Sequence, residues 1–183
     1  MRVIAGSAGG IRLVQPRDRS TRPIADRVKE TLFAILSDRV LDARVLDLYA
    51  GSGAIGIEAL SRGAAHATFV ERGRQALDSL AENLRRTRLA ASASVQAQDV
   101  LRFLEHTTAG PFDLVVLDPP YAERAILAPL ERLAPHLAPG ATVVVKHFWR
   151  TEVPAPAGLR AWRQRRFGET GLTFLETDGA EEP

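Results

Sequence analysis

Apolar positions follow two alternating patterns along this chain from residue 44 onwards. Short apolar runs, typical of buried strands, alternate with longer segments whose apolar residues recur at helical spacing. The predicted strands cover residues 45–49, 67–71, 94–97, 112–118 and 142–147, and the predicted helices cover 54–62, 75–89, 100–106 and 124–137. Strands that alternate with helices need right-handed crossovers, so the pattern predicts a parallel sheet covered by helices on both faces.

The two ends of the chain depart from this alternation. Residues 2–5 and 11–15 are short apolar stretches around glycines and predict a hairpin or two short strands, after which a helix is expected to begin near Pro23. Residues 158–167 and 171–177 predict antiparallel strands at the edge of the sheet. The predicted fold class is therefore α/β, with a doubly wound, mostly parallel sheet, an antiparallel C-terminal edge, and a small N-terminal β-hairpin and helix.

This order of elements divides the chain into three predicted segments. Residues 1–40 form an N-terminal hairpin and helix extension, residues 41–177 form the sheet domain, and residues 178–183 form a polar, frayed tail. The length of 183 residues, with 45% hydrophobic and 25% charged residues, suits one such domain. No apolar run approaches the roughly 20 residues that span a bilayer, and no signal-peptide pattern opens the sequence, so we expect a cytoplasmic protein without a membrane partner.

The cysteine and histidine content gives no indication of a disulfide or a metal site. The chain contains no cysteine, which excludes disulfides and thiolate metal sites. The histidines are scattered without ligand spacing, at His66, His106, His136 and His147. We therefore expect no metal site. The two tryptophans, Trp149 and Trp162, are expected to pack in the core or against the sheet.

Basic residues are unevenly distributed, although the formal net charge is only +2. Residues 1–40 hold eight Lys and Arg against four acids, and a second basic cluster lies in segment 158–167. That cluster consists of Arg160, Arg163, Arg165 and Arg166. Such patches can hold a polyanion by neutralising its phosphates, or they can serve only as a solvated surface.

A glycine-rich turn joins the first predicted strand of the sheet domain to the helix after it. The segment from Asp47 to Gly56 reads DLYAGSGAIG and contains G-x-G-x-x-G. Glycine lets the backbone turn sharply and approach a ligand, while the helix N-terminus offers free N–H groups. Glu71 ends the next strand, where a carboxylate can accept both hydroxyl protons of a ribose. The turn therefore predicts a nucleotide-type ligand.

Two ligands fit such a turn, a dinucleotide or S-adenosylmethionine, and Asp47 favours the second. A carboxylate at this edge of the sheet would oppose a pyrophosphate, but it suits the ammonium and sulfonium charges of S-adenosylmethionine, directly or through water. Asp99 can accept from an adenine amine, or it can cap the helix that begins at Val100. The expected cofactor-binding residues are Asp47, Tyr49, Ala50, Gly51, Ser52, Gly53, Glu71, Arg72, Asp99, Val100 and Asp118.

A second candidate site follows the predicted strand 112–118. The sequence Asp118-Pro119-Pro120-Tyr121 leaves the carboxyl end of that strand, where open α/β sheets bind ligands. Two prolines stiffen the turn and remove two backbone donors, so the Asp118 carboxylate and the Pro119 carbonyl form an acceptor pair. Tyr121 adds a ring on which a base can stack. The predicted catalytic residues are Asp118, Pro119, Pro120 and Tyr121.

This acceptor pair suits the methylation of an amino nitrogen on a nucleic-acid base. The lone pair of an exocyclic amine is delocalised into the ring, so the amine is a poor nucleophile. Two accepted N–H bonds orient the amine and aim its lone pair at the sulfonium methyl group. Positioning and charge placement then supply most of the catalysis, and no strong base is required.

Several motifs resemble methyltransferase families. The glycine turn with Glu71 and Asp99 is similar to the S-adenosylmethionine site of class I methyltransferases, whose sheet is Rossmann-like. Asp118-Pro119-Pro120-Tyr121 is similar to the [DNS]-P-P-[YF] signature of their amino-methylating branch. Residues 22–33, RPIADRVKETLF, resemble the R-P-T-x-D-R-V-[RK]-E-x-L-F segment of the RsmD-type small-subunit ribosomal RNA guanine-N2 methyltransferases.

The resemblance to the RsmD-type family covers nearly the whole chain. Residues 2–6 (RVIAG) and 167–170 (FGET) also fit the family. Ile24 stands where the family often has Thr, and residues 7–10 (SAGG) lack its usual bulky basic or aromatic character. The second departure concerns RNA contacts by the N-terminal hairpin, and neither concerns the predicted methyl-transfer site.

The resemblance implies methylation of the N2 amine of a guanine in small-subunit (16S) ribosomal RNA. S-adenosylmethionine would be the methyl donor, S-adenosylhomocysteine the product, and the target base would be extruded into the pocket. The expected substrate contacts are Arg17, Arg19, Arg22, Arg27 and Tyr121. The expected partner is ribosomal RNA or a small-subunit assembly intermediate, and the expected state is a monomer.

Three other functions are compatible with parts of the sequence. An amino-methylase acting on adenine N6 in DNA or RNA, or on a glutamine side chain, would use the same acceptor turn. A nicotinamide-dependent oxidoreductase would leave Asp47 and the turn at Asp118 unexplained. A non-catalytic RNA-binding assembly factor would have no need of the intact turn.

Overall fold

The computed structural model describes residues 1–16, 25–119 and 124–177. Its strands are β1 (Arg44–Leu48), β2 (His66–Glu71), β3 (Ala93–Ala97), β4 (Phe112–Leu117), β5 (Leu137–Phe148), β6 (Leu159–Phe167) and β7 (Thr170–Thr177). They form one seven-stranded sheet in the order β3-β2-β1-β4-β5-β7-β6. Strands β1 to β5 run parallel, and β7 lies antiparallel between β5 and β6. The predicted fold class is confirmed.

Helices cover both faces of the sheet, as the apolar pattern predicts. They are α1 (Asp26–Leu36), α2 (Ala54–Ser61), α3 (Arg74–Thr87), α4 (Val100–His106) and α5 (Arg124–Leu133). One core cluster joins α1, α2 and α3 to one face, and a second joins α4 and α5 to the other. The central strands carry consecutive buried residues because both of their faces are covered. Among the described residues, no helix is long and apolar enough to cross a membrane.

Several predicted boundaries differ from the structure. The helix predicted over 124–137 ends at Leu133 and passes into a 3-10 turn, because the chain becomes extended at Leu137 to join the sheet. Strand β5 then begins at Leu137, which pairs with Phe112. Helix α1 begins at Asp26 rather than near Pro23, and Pro23 itself lies outside the described residues.

The N-terminal residues form a small hairpin with one antiparallel bridge, between Arg2 and Arg12. Val3 N donates to Ile11 O at 2.9 Å inside it. Val3 is fully buried in the same core cluster as α1 and α2, so the hairpin rests directly on the sheet domain. The division of the chain at residue 40 stays a prediction.

A buried carboxylate connects this hairpin to two helices. Glu58 on α2 is fully buried and accepts hydrogen bonds from Ile4 N at 2.7 Å and Ala5 N at 3.0 Å. Lys29 on α1, also fully buried, places Nζ 3.1 Å from Glu58 Oε2. Arg62 Nε donates to Oε1 at 2.8 Å. Burial lowers the pKa of Lys29, and the charge of Glu58 opposes that change.

We expect Glu58→Gln to lower the free energy of unfolding by about 3–5 kcal/mol, because it leaves the Lys29 ammonium buried without its counter-ion. Chemical denaturation followed by circular dichroism measures this loss. The matched control is Glu82→Gln on α3, which removes an exposed pairing with Arg85 and Arg86 and should leave stability unchanged. Equal stability of the two variants would show that the buried pair does not hold the hairpin.

Candidate active site

The predicted site residues meet at one edge of the sheet. The glycine turn follows β1, the loop containing Arg72 follows β2, and Asp118 and Pro119 follow β4. Because β1 pairs in parallel with both β2 and β4, the carboxyl ends of these strands are adjacent. The two motifs, far apart in the sequence, therefore face a common space.

The glycine turn has a backbone that explains two of its glycines. Gly51 has φ +56° and Gly53 has φ +78°, and both values lie in the left-handed region that glycine adopts without strain. A side chain at Gly53 would collide with Leu80, whereas one at Gly51 would meet nothing within 4 Å. Gly53 therefore serves packing, and Gly51 faces the open side of the turn, where a ligand can approach the backbone.

Asp47 lies beneath this turn rather than on its surface. Its side chain is 2% exposed, and Oδ2 accepts a hydrogen bond from Gly56 N at 2.9 Å, near the start of α2. Burial raises the pKa of Asp47 to about 8, and the negative charges of Asp118 and Glu71 add to this effect. At neutral pH the carboxyl group is therefore mostly protonated unless a cation is bound nearby.

Glu71 occupies its predicted place at the end of β2, but backbone groups hold its carboxylate. Oε2 accepts from Gly51 N at 2.9 Å, and Oε1 accepts from Arg72 N at 2.8 Å and Gly73 N at 2.6 Å. The carboxylate thus ties the glycine turn to the loop after β2. A carboxylate offers about four lone pairs, so there is room to accept from a ligand hydroxyl as well.

Asp99 caps helix α4, which is one of the two roles that the sequence allows. Its Oδ1 accepts from Leu101 N at 2.9 Å and from Arg102 N at 3.4 Å, and Oδ2 lies 3.3 Å from Arg72 Nη1. Burial raises the pKa of the Tyr49 hydroxyl, and the charge of Asp99 contributes, so the two side chains share one side of the site. The adenine contact of Asp99 stays a prediction.

Lys146 is a site residue that the sequence reasoning missed. It lies on β5 and is 8% exposed, and its Nζ donates to both carboxylate oxygens of Asp118, at 2.7 Å and 2.8 Å. Burial raises the pKa of Asp118, and the ammonium group of Lys146 opposes that rise. The available signal was a lysine directly after a run of three valines in the strand that ends at Phe148.

The remaining predicted residues divide into two groups. Pro120, Tyr121, Arg17, Arg19 and Arg22 lie outside the described residues. The structure describes the others: Pro119, Ser52 and Val100 are buried, Ala50 N donates to Val70 O, and Arg27 is exposed on α1. Their functional roles stay predictions.

A second contact missed from the sequence joins the N-terminal part to the glycine turn. Asn83 on α3 is fully buried, and its Nδ2 donates to Ser52 O at 2.9 Å and to Val14 O at 3.0 Å. Its Oδ1 accepts from Val14 N at 2.7 Å. Gln15 Nε2 lies 3.3 Å from Ser52 Oγ. The chain leaving the hairpin is therefore attached to the turn itself.

The charges at this edge suit a ligand that brings positive charge and hydrogen-bond donors. Asp47, Glu71, Asp99 and Asp118 supply carboxyl groups, and the cations beside them, Arg72 and Lys146, are paired with Asp99 and Asp118. A pyrophosphate would meet several carboxylates here. Among the described residues no group of three or more His, Asp or Glu could hold a metal ion.

Because the pKa of Asp47 is raised, the free energy of unfolding should depend on pH. Its ordinary value is 3.8, so between about pH 4 and pH 8 the folded protein keeps a proton that the unfolded chain releases. The free energy of unfolding should therefore fall as pH rises through this window. Asp47→Asn keeps an oxygen that can accept from Gly56 N but cannot ionise, and urea denaturation across the window should show a shallower fall. Parallel profiles would contradict the buried proton.

Comparison with known proteins places the chain in a family. The family model described as "Conserved hypothetical protein 95" matches residues 1–176. The Escherichia coli (strain K12) protein named "Ribosomal RNA small subunit methyltransferase D" is 34% identical over 185 residues, covering 100% of this chain and 92% of that protein. The Bacillus subtilis protein YlbH is 37% identical over 185 residues, covering 98% of this chain and 100% of that protein.

A solved structure shows the same fold along nearly the full length. The structure of the Escherichia coli protein yhhF superimposes with a TM-score of 0.87 at 33% identity, covering 98% of this chain and 99% of that one. The chain therefore belongs to the conserved hypothetical protein 95 family, the family of the RsmD-type methyltransferases.

Proposed function

We propose that this protein transfers the methyl group of S-adenosylmethionine to the exocyclic N2 amine of a guanine in small-subunit ribosomal RNA. One observation carries the proposal: the Asp118 carboxylate lies at the strand end beside the glycine turn and is held by Lys146 through both oxygens. The name of the Escherichia coli relative supports ribosomal RNA as the substrate.

The residues around the glycine turn fit the proposed methyl donor. Gly51 leaves room for close approach to the backbone, and Glu71 keeps capacity to accept from a ribose hydroxyl. Asp47 gains its full negative charge only beside a cation, because burial raises its pKa to about 8. S-adenosylmethionine brings such charge and, when bound, supplies a methyl group already activated on a sulfonium.

Asp118 and Pro119 are proposed to bind and orient the amine. Each oxygen of Asp118 accepts one hydrogen bond from Lys146 and retains a second lone pair, so an N–H group of the substrate can still be accepted. The Pro119 carbonyl is proposed to accept the other N–H. Burial, which raises the pKa of Asp118, also makes its carboxylate better able to take the proton that the amine releases after transfer.

Lys146 is proposed to act as a positioning residue for Asp118. An ammonium group bound to both oxygens fixes the plane of the carboxylate and favours its ionised form. Without it, a largely buried carboxyl group would hold its proton to higher pH and lose its ability to accept from the amine.

The N-terminal part is proposed to contact the RNA. Arg27 is exposed on α1, and the contacts of Glu58 and Asn83 hold the N-terminal part beside the site. We propose that residues 1–40 form the RNA-contacting extension, that the protein acts as a monomer in the cytoplasm, and that its partner is ribosomal RNA or a small-subunit assembly intermediate.

The direct test uses ribosomal RNA and small subunits from a strain that lacks this protein. We expect transfer of labelled methyl from S-adenosylmethionine, with the label in N2-methylguanosine after digestion and chromatography. Label in N6-methyladenosine would show that the target is adenine and not guanine. No label in either the RNA or the subunits would overturn the proposed function. RNA and subunits from the parent strain, already modified, serve as the control.

Asp118→Ala should lower kcat by about 100-fold or more and reduce S-adenosylhomocysteine affinity far less, since the main loss is an acceptor for the reacting amine. Isothermal titration calorimetry measures the affinity. Full residual activity would refute the acceptor role.

Lys146→Met should lower kcat at neutral pH and move the rising limb of the pH–rate profile to higher pH, because the pKa of Asp118 rises when its counter-ion is lost. Lys146→Arg keeps the charge and should retain the original profile position. If the Lys146→Met profile keeps its shape and only its height changes, Lys146 has a structural role alone.

A further inference from the structure

Two arginine side chains lie over the ring of Trp149, just after the end of β5. The guanidinium carbon of Arg166 is 3.6 Å from the Trp149 ring centroid, and that of Arg150 is 4.8 Å from it. Both arginines are exposed, and the ring is partly buried. We call these three residues, Trp149, Arg150 and Arg166, the Trp149 stack. The structure therefore differs from the expectation of simple sheet packing, which Trp162 meets by packing against Phe174.

The turn between β6 and β7 holds the stack in place. Arg166 Nε donates to Gly168 O at 2.9 Å, and Trp149 N donates to Glu169 O at 2.9 Å. The other guanidinium nitrogens of Arg166 make no hydrogen bond within the described part of the chain. The ring orders the guanidinium group without neutralising it, so its outward N–H groups stay available to an anion.

The arginines of strand β6 differ in their partners. Arg160, at the start of the strand, forms an ion pair with Glu176. In contrast, Arg163, Arg165 and both arginines of the Trp149 stack form no ion pair with any residue that the structure describes. Positive charge without a carboxylate partner therefore accumulates towards the end of the strand, although the turn that follows also contains Glu169.

This end of β6 lies at the same edge of the sheet as the candidate active site. The pairing of Leu117 with Val145 places Asp118 beside Lys146, and Trp149 follows three residues later. At a rise of about 3.3 Å per residue, the stack is roughly 10 Å further along the strand. An RNA strand with its target base at Asp118 could cover that distance in about three nucleotides, at about 3.4 Å each.

We propose that the Trp149 stack binds backbone phosphates of the RNA strand that flanks the target nucleotide. The proposal rests on the proposed function in taking RNA as the substrate. Guanidinium groups match phosphate geometry, and a group already ordered on a ring loses less conformational entropy on binding. Phosphate contacts set the position of a strand without reading its sequence, so the stack should affect RNA affinity and leave the chemical step alone.

The test compares Arg166→Ala and Trp149→Ala with the wild-type protein. Filter binding of unmodified small-subunit ribosomal RNA, made by transcription, measures Kd over a range of salt concentrations. We expect Arg166→Ala to raise Kd about tenfold and to lower the salt slope by about one. Trp149→Ala should weaken binding in the same direction, and Trp149→Phe, which keeps a ring, should weaken it less. For Arg166→Ala, S-adenosylhomocysteine affinity and melting temperature should not change.

Arg160→Ala is the matched control. It removes the same side chain from the same strand, about 20 Å away at the opposite edge of the sheet. Kd and salt slope should equal those of the wild type. If Arg166→Ala and Arg160→Ala bind RNA equally well, the proposed surface is wrong, whether or not the protein methylates RNA.

Methyl transfer separates this proposal from the proposed function. If the wild type methylates ribosomal RNA, Arg166→Ala should raise KM for RNA and leave kcat within about twofold at saturating RNA. If RNA binding depends on Arg166 but the wild type transfers no methyl group, the proposed function is wrong and the proposed RNA-binding surface is still supported.

Discussion

The buried carboxylate of Glu58 is the contact on which the arrangement around the site depends. It forms ion pairs with Lys29 on α1 and with Arg62 at the end of its own helix, and it accepts hydrogen bonds from two amides of the N-terminal hairpin. Burying a carboxylate or an ammonium group without a partner would cost much free energy. Detachment of α1 or of the hairpin would therefore leave the buried Glu58 carboxylate without part of its partners. The N-terminal part is thereby held against the face of the sheet that also carries Asp47 and Asp118.

Burial has a different consequence at the carboxyl edge of the sheet. Burial and the negative charge of Asp118 raise the pKa of Asp47, which forms no ion pair with any described residue, whereas Asp118 is paired with Lys146. The site is thus short of positive charge, which a cationic ligand would supply. This edge of the sheet has more carboxyl groups than cations. The excess keeps Asp47 protonated when no cation is present, and it favours a sulfonium donor over a pyrophosphate.

Much of the fold follows from periodicity, because strands buried on both faces and amphipathic helices leave distinct patterns. The positions of Glu71, Asp99 and Asp118 at strand ends follow from the same patterns. The hydrogen-bond partners do not. Glu71 accepts from the glycine turn, and Lys146 meets Asp118 only because β5 pairs beside β4. The end of α5 at Leu133 could not be predicted without knowing where β5 begins.

The sequence by itself determined the alternation of strands and helices, the glycine turn, and the presence of an acidic side chain, Asp118, where a buried strand ends, because each depends on local backbone preferences or on residue type. The tertiary structure alone decided which charges are paired and which are exposed. Lys146 became the partner of Asp118, Glu58 became the anchor of the hairpin, and Arg166 came to lie on Trp149. These contacts join residues on different strands and helices, so their distances and burial, and hence their charges, are set only when the sheet is assembled.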